Sequence, residues 1–377
     1  MSQQRIFGRA VVATRVAARR VLREVAAQHR AARSAQINAA GQPAQTAQPG
    51  QSAPAAPPLV LVALSGGADS LALALAVAYE APNCGVRAGA VVVDHGLQQG
   101  SAEVADAAAA QARAAGLDPV LVERVRVGQA PGGPEAQARE ARYAAFAGAA
   151  ELHGAAAILT AHTRGDQAEQ VLLGLARGSG LRSLAGIPRQ RALANGTQMR
   201  RPFLASDPAI DRETTEAACL DQAATFWRDP HNTDPRYARV RVRDRVLPVL
   251  ETELGPGVAA ALARTADLAR EDADALDEIA EQLTRRVVTA GDSRDAQVAV
   301  AALAGEPAAI VHRVVRIMAR DHFGAQLERG HTLAITELIT AWRGQSTVYV
   351  PGIAVTRRAN VLHFHAQIGS PRSISRE

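Results

Sequence analysis

The stretch Leu59–Val77 reads LVLVALSGGADSLALALAV, and its reading decides the fold. The first half is a continuous Leu/Val run entered through Pro57 and Pro58, the pattern of a strand covered on both faces. The second half is rich in Leu and Ala for long enough to be a helix. Between them Ser65, Gly66, Gly67, Ala68, Asp69 and Ser70 must turn the chain sharply. They leave several backbone N–H groups at a helix N-terminus, a geometry that attracts anions. An ordinary strand-to-helix turn needs only small residues. Here paired glycines admit a phosphate to the backbone, Ser65 and Ser70 add hydroxyl donors, and Asp69 stands where it can hold Mg²⁺ against a polyphosphate. The loop lacks the Gly-Lys-Ser/Thr ending of a Walker P-loop and is not GxGxxG.

Downstream the rhythm of strand, loop and helix repeats. Val86–Val93 reads as a second strand ending at Asp94-His95-Gly96-Leu97. Ser101–Ala115 reads as a helix capped by Ser101, with Glu103 and Asp106 near its positive end. Val120–Val127 is a third strand, Glu135–His153 a helix and Ala156–Thr160 a fourth strand. Such alternation predicts an α/β fold, a parallel sheet with helices on both faces, and ligands of these sheets collect at the carboxyl ends of the strands. The loops Ser65–Ser70, Asp94–Leu97 and Thr160–Asp166 all lie at such ends, so one crevice is expected. Asp166 and Glu169, three apart at the opening of a helix, share a face. Either acid alone reads as a partner of the helix dipole. Two of them beside a phosphate-suited loop, with His162 just before, suit a cationic substrate, and the following LLGLARGSGLRSLAGI carries Arg177 in a loop suited to a polyanion.

The flanks differ in character. RIFGRAVVATRVAARRVLREVAAQHR sets Arg among Val, Ala and Leu at helical spacing, predicting a helix beside the first strand with its arginines in water; an organelle transit segment is the weaker reading. Residues 34–58, poor in large apolar groups and charge, read as a flexible linker. After Pro248 the pattern turns to long amphipathic helix over 255–288, further helix over Glu306–His322 and Leu333–Arg343, and a β-hairpin around Pro351-Gly352. The expected organisation is an N-terminal helix and linker (1–58), a catalytic domain (59–247) and a smaller, mainly helical substrate-binding domain (248–377).

The 377 residues carry a formal charge of +5 and a pI near 9.9, which suits a polyanionic partner. All 42 basic residues are Arg, so every basic contact is a guanidinium, apt for bidentate phosphate binding and unable to perform lysine chemistry. Two separated cysteines, Cys84 and Cys219, argue against a disulfide scaffold, structural zinc or an iron–sulfur cluster, and suit a reducing cytoplasm. No apolar run has membrane-spanning length.

The loop SGGADS resembles SGGxDS, the pyrophosphate loop of the N-type ATP pyrophosphatases (the PP-loop superfamily), which split ATP to adenylate a carbonyl-type oxygen. With VDHGLQ (Val93–Gln98), EAQAREARYAAF (Glu135–Phe146), TAHTRGDQAEQVLLGLARGSGLRSLAGI (Thr160–Ile187), RRPFL (Arg200–Leu204) and WRDPHNTDPRYARVRVR (Trp227–Arg243), all in order, the chain is similar to the tRNA(Ile)-lysidine synthetases. That resemblance implies ATP and Mg²⁺ as cofactors and L-lysine and a CAU-anticodon tRNA(Ile) as substrates, in the cytoplasm and away from any membrane. A homodimer stays open. It implies a pyrophosphate loop of Ser65, Gly66, Gly67, Ala68, Asp69 and Ser70, with Asp69 on the metal. Asp94 and His95 would lie on the adenosine side, Arg139 and Arg142 at ATP phosphate or the activated cytidine, and Asp166 and Glu169 on the lysine ammonium groups, with His162 nearby. For tRNA the candidates are Arg177, Arg200, Arg201, Arg236, Arg239, Arg241 and Arg243, although ARVRVRDR also reads as a solvated face. Thr163 and Gln170, and His231 in DPHN, depart from the family pattern. The competing readings are a tRNA thiolase or amidotransferase of the same superfamily, or a non-catalytic nucleic-acid-binding relative.

Overall fold

In the computed structural model, residues 8–39, 56–96, 100–125, 134–178, 180–205, 207–291 and 295–367 are described. Most of the expected linker (40–55), Leu97 of the second crevice loop with Gln98 of VDHGLQ, and the end of the third expected strand (126–127) lie outside them.

The elements run α1 (Arg9–Ala39), β1 (Leu59–Leu64), α2 (Ala68–Glu80), β2 (Arg87–Asp94), α3 (Ser101–Ala114), β3 (Val120–Arg124), α4 (Pro134–His153), β4 (Ala155–Leu159), α5 (Arg164–Ala176), α6 (Leu181–Leu184), β5 (Gln190–Ala192), β6 (Gln198–Arg200) and α7 (Arg212–Leu220). Then follow α8 (Ala238–Arg241), a π turn (Val242–Val246), α9 (Leu247–Glu253), α10 (Val258–Val287), β7 (Val288–Ala290), β8 (Asp295–Ala299), α11 (Ala308–Phe323), α12 (Arg329–Thr340), β9 (Val348–Val350), β10 (Ile353–Arg358) and β11 (Val361–Ala366). Two compact units divide between Asp267 and Leu268.

In the first unit the sheet order is β3-β2-β1-β4-β6-β5. β1 pairs in parallel with β2 and β4, β2 with β3, and β4 with β6; β5 alone runs antiparallel. Strand side chains alternate between faces. Leu59 and Leu61 join Phe146, Ala149 and Ala150 of α4. Val60, Val62 and Leu64 join α1, α2, α3 and α7. A strand with both faces covered must be apolar throughout, which explains the unbroken Leu/Val run.

Three expectations are corrected. α1 packs chiefly on α2 and α7, and Arg15 is buried with its guanidinium 3.5 Å over the Tyr79 ring. Arg19 grips the buried Glu80 carboxylate through two bonds of 2.7 Å. Ser101 does not cap α3: Gly100 holds that position at φ 84°, and the Ser101 hydroxyl bonds Asp94.

In the second unit a five-stranded antiparallel sheet, β7-β8-β11-β10-β9, packs Val298, Ile353, Val355, Leu362 and Phe364 against α11 and α12. The hairpin at Pro351-Gly352 is present, and a second turn at Ala359-Asn360 extends it into the sheet.

Candidate active site

The turn between β1 and α2 is tied internally. The Ser65 amide donates to Ser70 Oγ (3.1 Å), and Ser70 Oγ donates to the Gly67 carbonyl (3.0 Å). Gly66 sits at φ 81°, open to glycine and strained for a side chain. Its carbonyl accepts from the Trp227 amide at 2.9 Å. No side chain caps α2, so the first-turn amides retain their donor capacity.

Asp69, in that first turn, accepts a hydrogen bond from the Thr215 hydroxyl of α7. Burial pushes its pKa up to about 6 against that bond, and Asp166 adds to the push. The carboxylates of the β1 and β4 loops therefore share one electrostatic environment, and the two loops meet at the same edge of the sheet. Among the described residues no group of three or more His, Cys, Asp or Glu could hold a metal ion.

Asp94, ending β2, is 8% exposed. Burial disfavours its charge, but the Gly96 amide (2.9 Å), Ser101 and Arg124 prevail and hold its pKa below the ordinary value. Next to it His95 Nε2 accepts from Arg142 Nε of α4 at 3.2 Å, so the neutral ring carries its proton on Nδ1. Among the described residues that buried Nδ1 has no hydrogen-bond partner. Burial and Arg142 lower the His95 pKa. Arg139, one turn earlier, donates to Tyr143 Oη at 3.2 Å.

The β4 loop carries the acidic pair. Asp166 Oδ2 accepts from the Thr163 amide (2.8 Å) and hydroxyl (3.1 Å), so one oxygen closes the helix start as the dipole reading allows. Glu169 has no such local work. It is 3% exposed, and its Oε2 lies 3.5 Å from Arg239 Nε yet has no hydrogen-bond partner among the described residues. Burial first and Asp166 second push Glu169 up to about 7, against Arg239 and Arg243. A buried carboxylate oxygen left without a donor costs free energy unless a ligand supplies one, and a primary ammonium is the matching donor.

His162 is held between Thr160 Oγ1 (3.2 Å) and Arg201 Nε (3.3 Å), both at Nδ1. Burial, with Arg201, Arg239 and Arg139 beyond it, pushes its pKa down to about 4 although Asp166 opposes them. The ring is neutral, with Nε2 carrying the proton. Arg201→Gln should move this pKa upward but not back to 6.5, because burial is the larger cause. Imidazole NMR titration checks this; an unmoved titration would mean that Arg201 does not face the ring.

The expected tRNA arginines separate into two groups. Arg200 and Arg201 are 5% and 3% exposed. Arg200 bonds Glu24 (3.0 Å) and Gln28 of α1, and Arg201 donates to the Pro188 carbonyl (2.5 Å). Burial thus places both as internal braces rather than open phosphate contacts. Arg239 turns inward to Glu169 and to Gln170 Oε1 (2.9 Å), and Arg243 bonds the Asn232 carbonyl and Asp244. Arg177, Arg236 and Arg241 remain exposed, Arg236 beside Asp234 (2.6 Å). The alternating ARVRVRDR is helical, with Val242 and Leu247 packed against Ala168 of α5. Its π turn widens a helix that a period-two pattern could not reveal, and such turns recur at functional sites.

Residues 42–250 match the PP-loop domain family. A tRNA(Ile)-lysidine synthase from Leifsonia xyli subsp. xyli is 54% identical, covering 85% of this chain and 92% of its own. The chain belongs to the tRNA(Ile)-lysidine synthase family. The relative from Streptomyces coelicolor is 52% identical over 80% of this chain and 83% of its own; that from Mycobacterium bovis is 45% identical over 77% and 83%. Among solved structures, a U34-tRNA thiolase from Methanococcus maripaludis aligns at TM-score 0.46 and 18% identity, over 56% of this chain and 72% of its own. Two of the departures from the family pattern, Thr163 and Gln170, have local explanations here. Thr163 closes the α5 start with Asp166, and Gln170 receives Arg239.

The sequence reading missed α7 and with it Thr215. The signal was present: Asp211 accepts from the Thr214 amide (2.9 Å) as an N-cap, three residues ahead, with Glu213 in the first turn.

Proposed function

We propose that this chain joins L-lysine to C2 of the wobble cytidine of CAU-anticodon tRNA(Ile), consuming ATP. The cytidine O2 attacks the α-phosphorus, the bond to the pyrophosphate oxygen breaks and pyrophosphate leaves. The lysine ε-nitrogen then attacks C2, the C2–O bond breaks, and the oxygen departs on AMP. Adenylation turns a poor leaving group into a good one. Holding the reactants side by side is worth on the order of 7 kcal/mol or more. The observation that carries the reading is the buried carboxylate oxygen of Glu169 beside Asp166, which faces Arg239 at 3.5 Å but accepts no hydrogen bond among the described residues, at the same sheet edge as the phosphate-suited turn.

Protons divide between two side chains of opposite tendency. His162, with a pKa near 4, is a poor acceptor for an ammonium proton and is better read as a neutral donor through Nε2. Glu169, near 7, can hold the ammonium and take a proton as the amine becomes nucleophilic. Ser65, Gly66, Gly67, Ala68 and Ser70 would cradle the pyrophosphate, and Asp94, His95, Arg139 and Arg142 would line the nucleotide side. Mg²⁺ fits Asp69, a half-buried carboxylate on which Asp166 and Glu216 press and which only Arg212 offsets from a distance; bound there the ion would neutralise phosphate charge. Arg177, Arg236 and Arg241 are the open candidates for tRNA phosphate.

The test combines the protein, ATP, labelled lysine and a CAU-anticodon transcript. Label enters the RNA only when cytidine occupies the wobble position; equal incorporation into a wobble-uridine transcript would refute the proposal. Because the chain carries no Lys, an ε-amine reagent reports free lysine without background from enzyme side chains.

A further inference from the structure

We propose that the outward face of α1 is a phosphate-binding track for the stem of the tRNA substrate, a surface distinct from the crevice. It rests on the functional reading above for the identity of the RNA. α1 holds seven arginines and a single acid, Glu24. The fold uses two arginines internally, Arg15 on Tyr79 and Arg19 on Glu80, and the acid is taken by Arg200. Five remain for the outer surface, where Arg9, Arg20, Arg23 and Arg30 are exposed.

At 100° per residue those four fall within an arc of about 80°, and Arg9 to Arg30 spans about 32 Å of helix. Among the described residues none of them, nor Arg33, pairs with a carboxylate. Arg20 donates to the Asp207 carbonyl, and Arg23 lies against Cys84. Like charges along one stripe repel each other, and a polyanion whose charges repeat along its length relieves them.

The helix that carries the stripe is anchored next to the crevice. Glu24 and Gln28 of α1 hold Arg200, at the carboxyl end of β6. The adjoining Arg201 holds His162. The stripe lies on the side of α1 turned away from Arg200, so RNA backbone leaving the crevice would reach it by passing over the outer surface of the helix. A membrane surface fits the stripe less well. The apolar face of α1 (Val11, Ala17, Ala18, Leu22, Val25, Ala26) is already in the core, and among its described side chains only Val12 and Val16 are exposed large apolar residues. Phosphate contacts of this kind position RNA without reading its bases.

The experiment compares the full chain with Arg9→Gln/Arg23→Gln/Arg30→Gln by filter retention of a CAU-anticodon transcript across a salt series. The expected result is at least tenfold weaker binding near physiological salt. The slope of log affinity on log salt should be shallower by about 2 to 3 for three lost contacts. The KM for ATP and the melting temperature should hold. The triple Arg→Lys variant, which keeps the charges, should restore binding. Unchanged affinity and slope overturn the proposal, as does a loss that lysines fail to restore. Loss of binding to phosphatidylserine vesicles with tRNA binding intact also overturns it, in favour of a membrane. Retention requires no ligation, so failure of lysine transfer in the unaltered chain counts against the function above and leaves this result readable.

Discussion

Glu169→Gln should lower kcat/KM for lysine by two to three orders of magnitude while the KM for ATP stays within about twofold. Removing one partner of a buried, paired charge costs about 3 to 5 kcal/mol, and the buried Oε2 accepts no hydrogen bond among the described residues that could replace the lysine ammonium. The pH profile should carry the same signature. The carboxylate must be ionised to hold an ammonium, so kcat/KM for lysine in the unaltered chain should fall as pH drops below about 7, and Glu169→Gln should lose that limb. Stability should move the other way. A carboxylate whose folded pKa lies above its unfolded value favours the fold only at low pH, and that contribution is lost as pH rises through the folded value. From 4.5 to about 7, the strain relieved at pH 8 is about 3 kcal/mol at most. Glu169→Gln should therefore melt higher than the unaltered chain at pH 8 and equally at pH 4, measured by calorimetry. An equal loss of lysine and ATP affinity would remove Glu169 from the lysine site.

Asp69→Asn should reduce tRNA-dependent pyrophosphate release by on the order of 10³, in line with losing a preorganised charge at a reacting phosphate. The amide is nearly isosteric and its oxygen can still accept from Thr215, so the loop should stay intact. What disappears is the negative charge at the start of α2 that Mg²⁺ would neutralise. Nucleotide titration should accordingly show Mg²⁺-dependent tightening in the unaltered chain and little in the variant. The sign of the stability change follows the same logic. Asp69 is pushed from 3.8 to about 6, so its contribution to the fold is lost as pH rises through 6, and the variant should melt higher at pH 8. Full pyrophosphate release by the variant would separate Asp69 from the phosphate chemistry.

Both predictions rest on burial, and burial is what the linear pattern conveyed least. The apolar run at 59–64, the glycine turn and the alternation of strand and helix specified a parallel sheet, because strand continuity, glycine content and residue period are properties of neighbours in the chain. The same locality made Asp166 and Glu169 legible as two acids on one helical face. It did not say that Asp166 closes the start of its own helix while Glu169 is left without a hydrogen bond at Oε2; Arg239, 70 positions away in the chain, faces that oxygen.

The arginines show the limit from the other side. Arg200 and Arg201 look like phosphate contacts in a basic tract, yet their surroundings come from α1 and from the loop before β5, and both are internal. α1 looks like an appendage, yet its apolar stripe belongs to the main core. From sequence alone came the class of fold, the phosphate-suited turn and the pairing of acids with it, since each is set by residues within a few positions. Tertiary structure decided which charges are spent inside and which stay in water, because solvent exposure and charge pairing arise between segments the chain holds far apart.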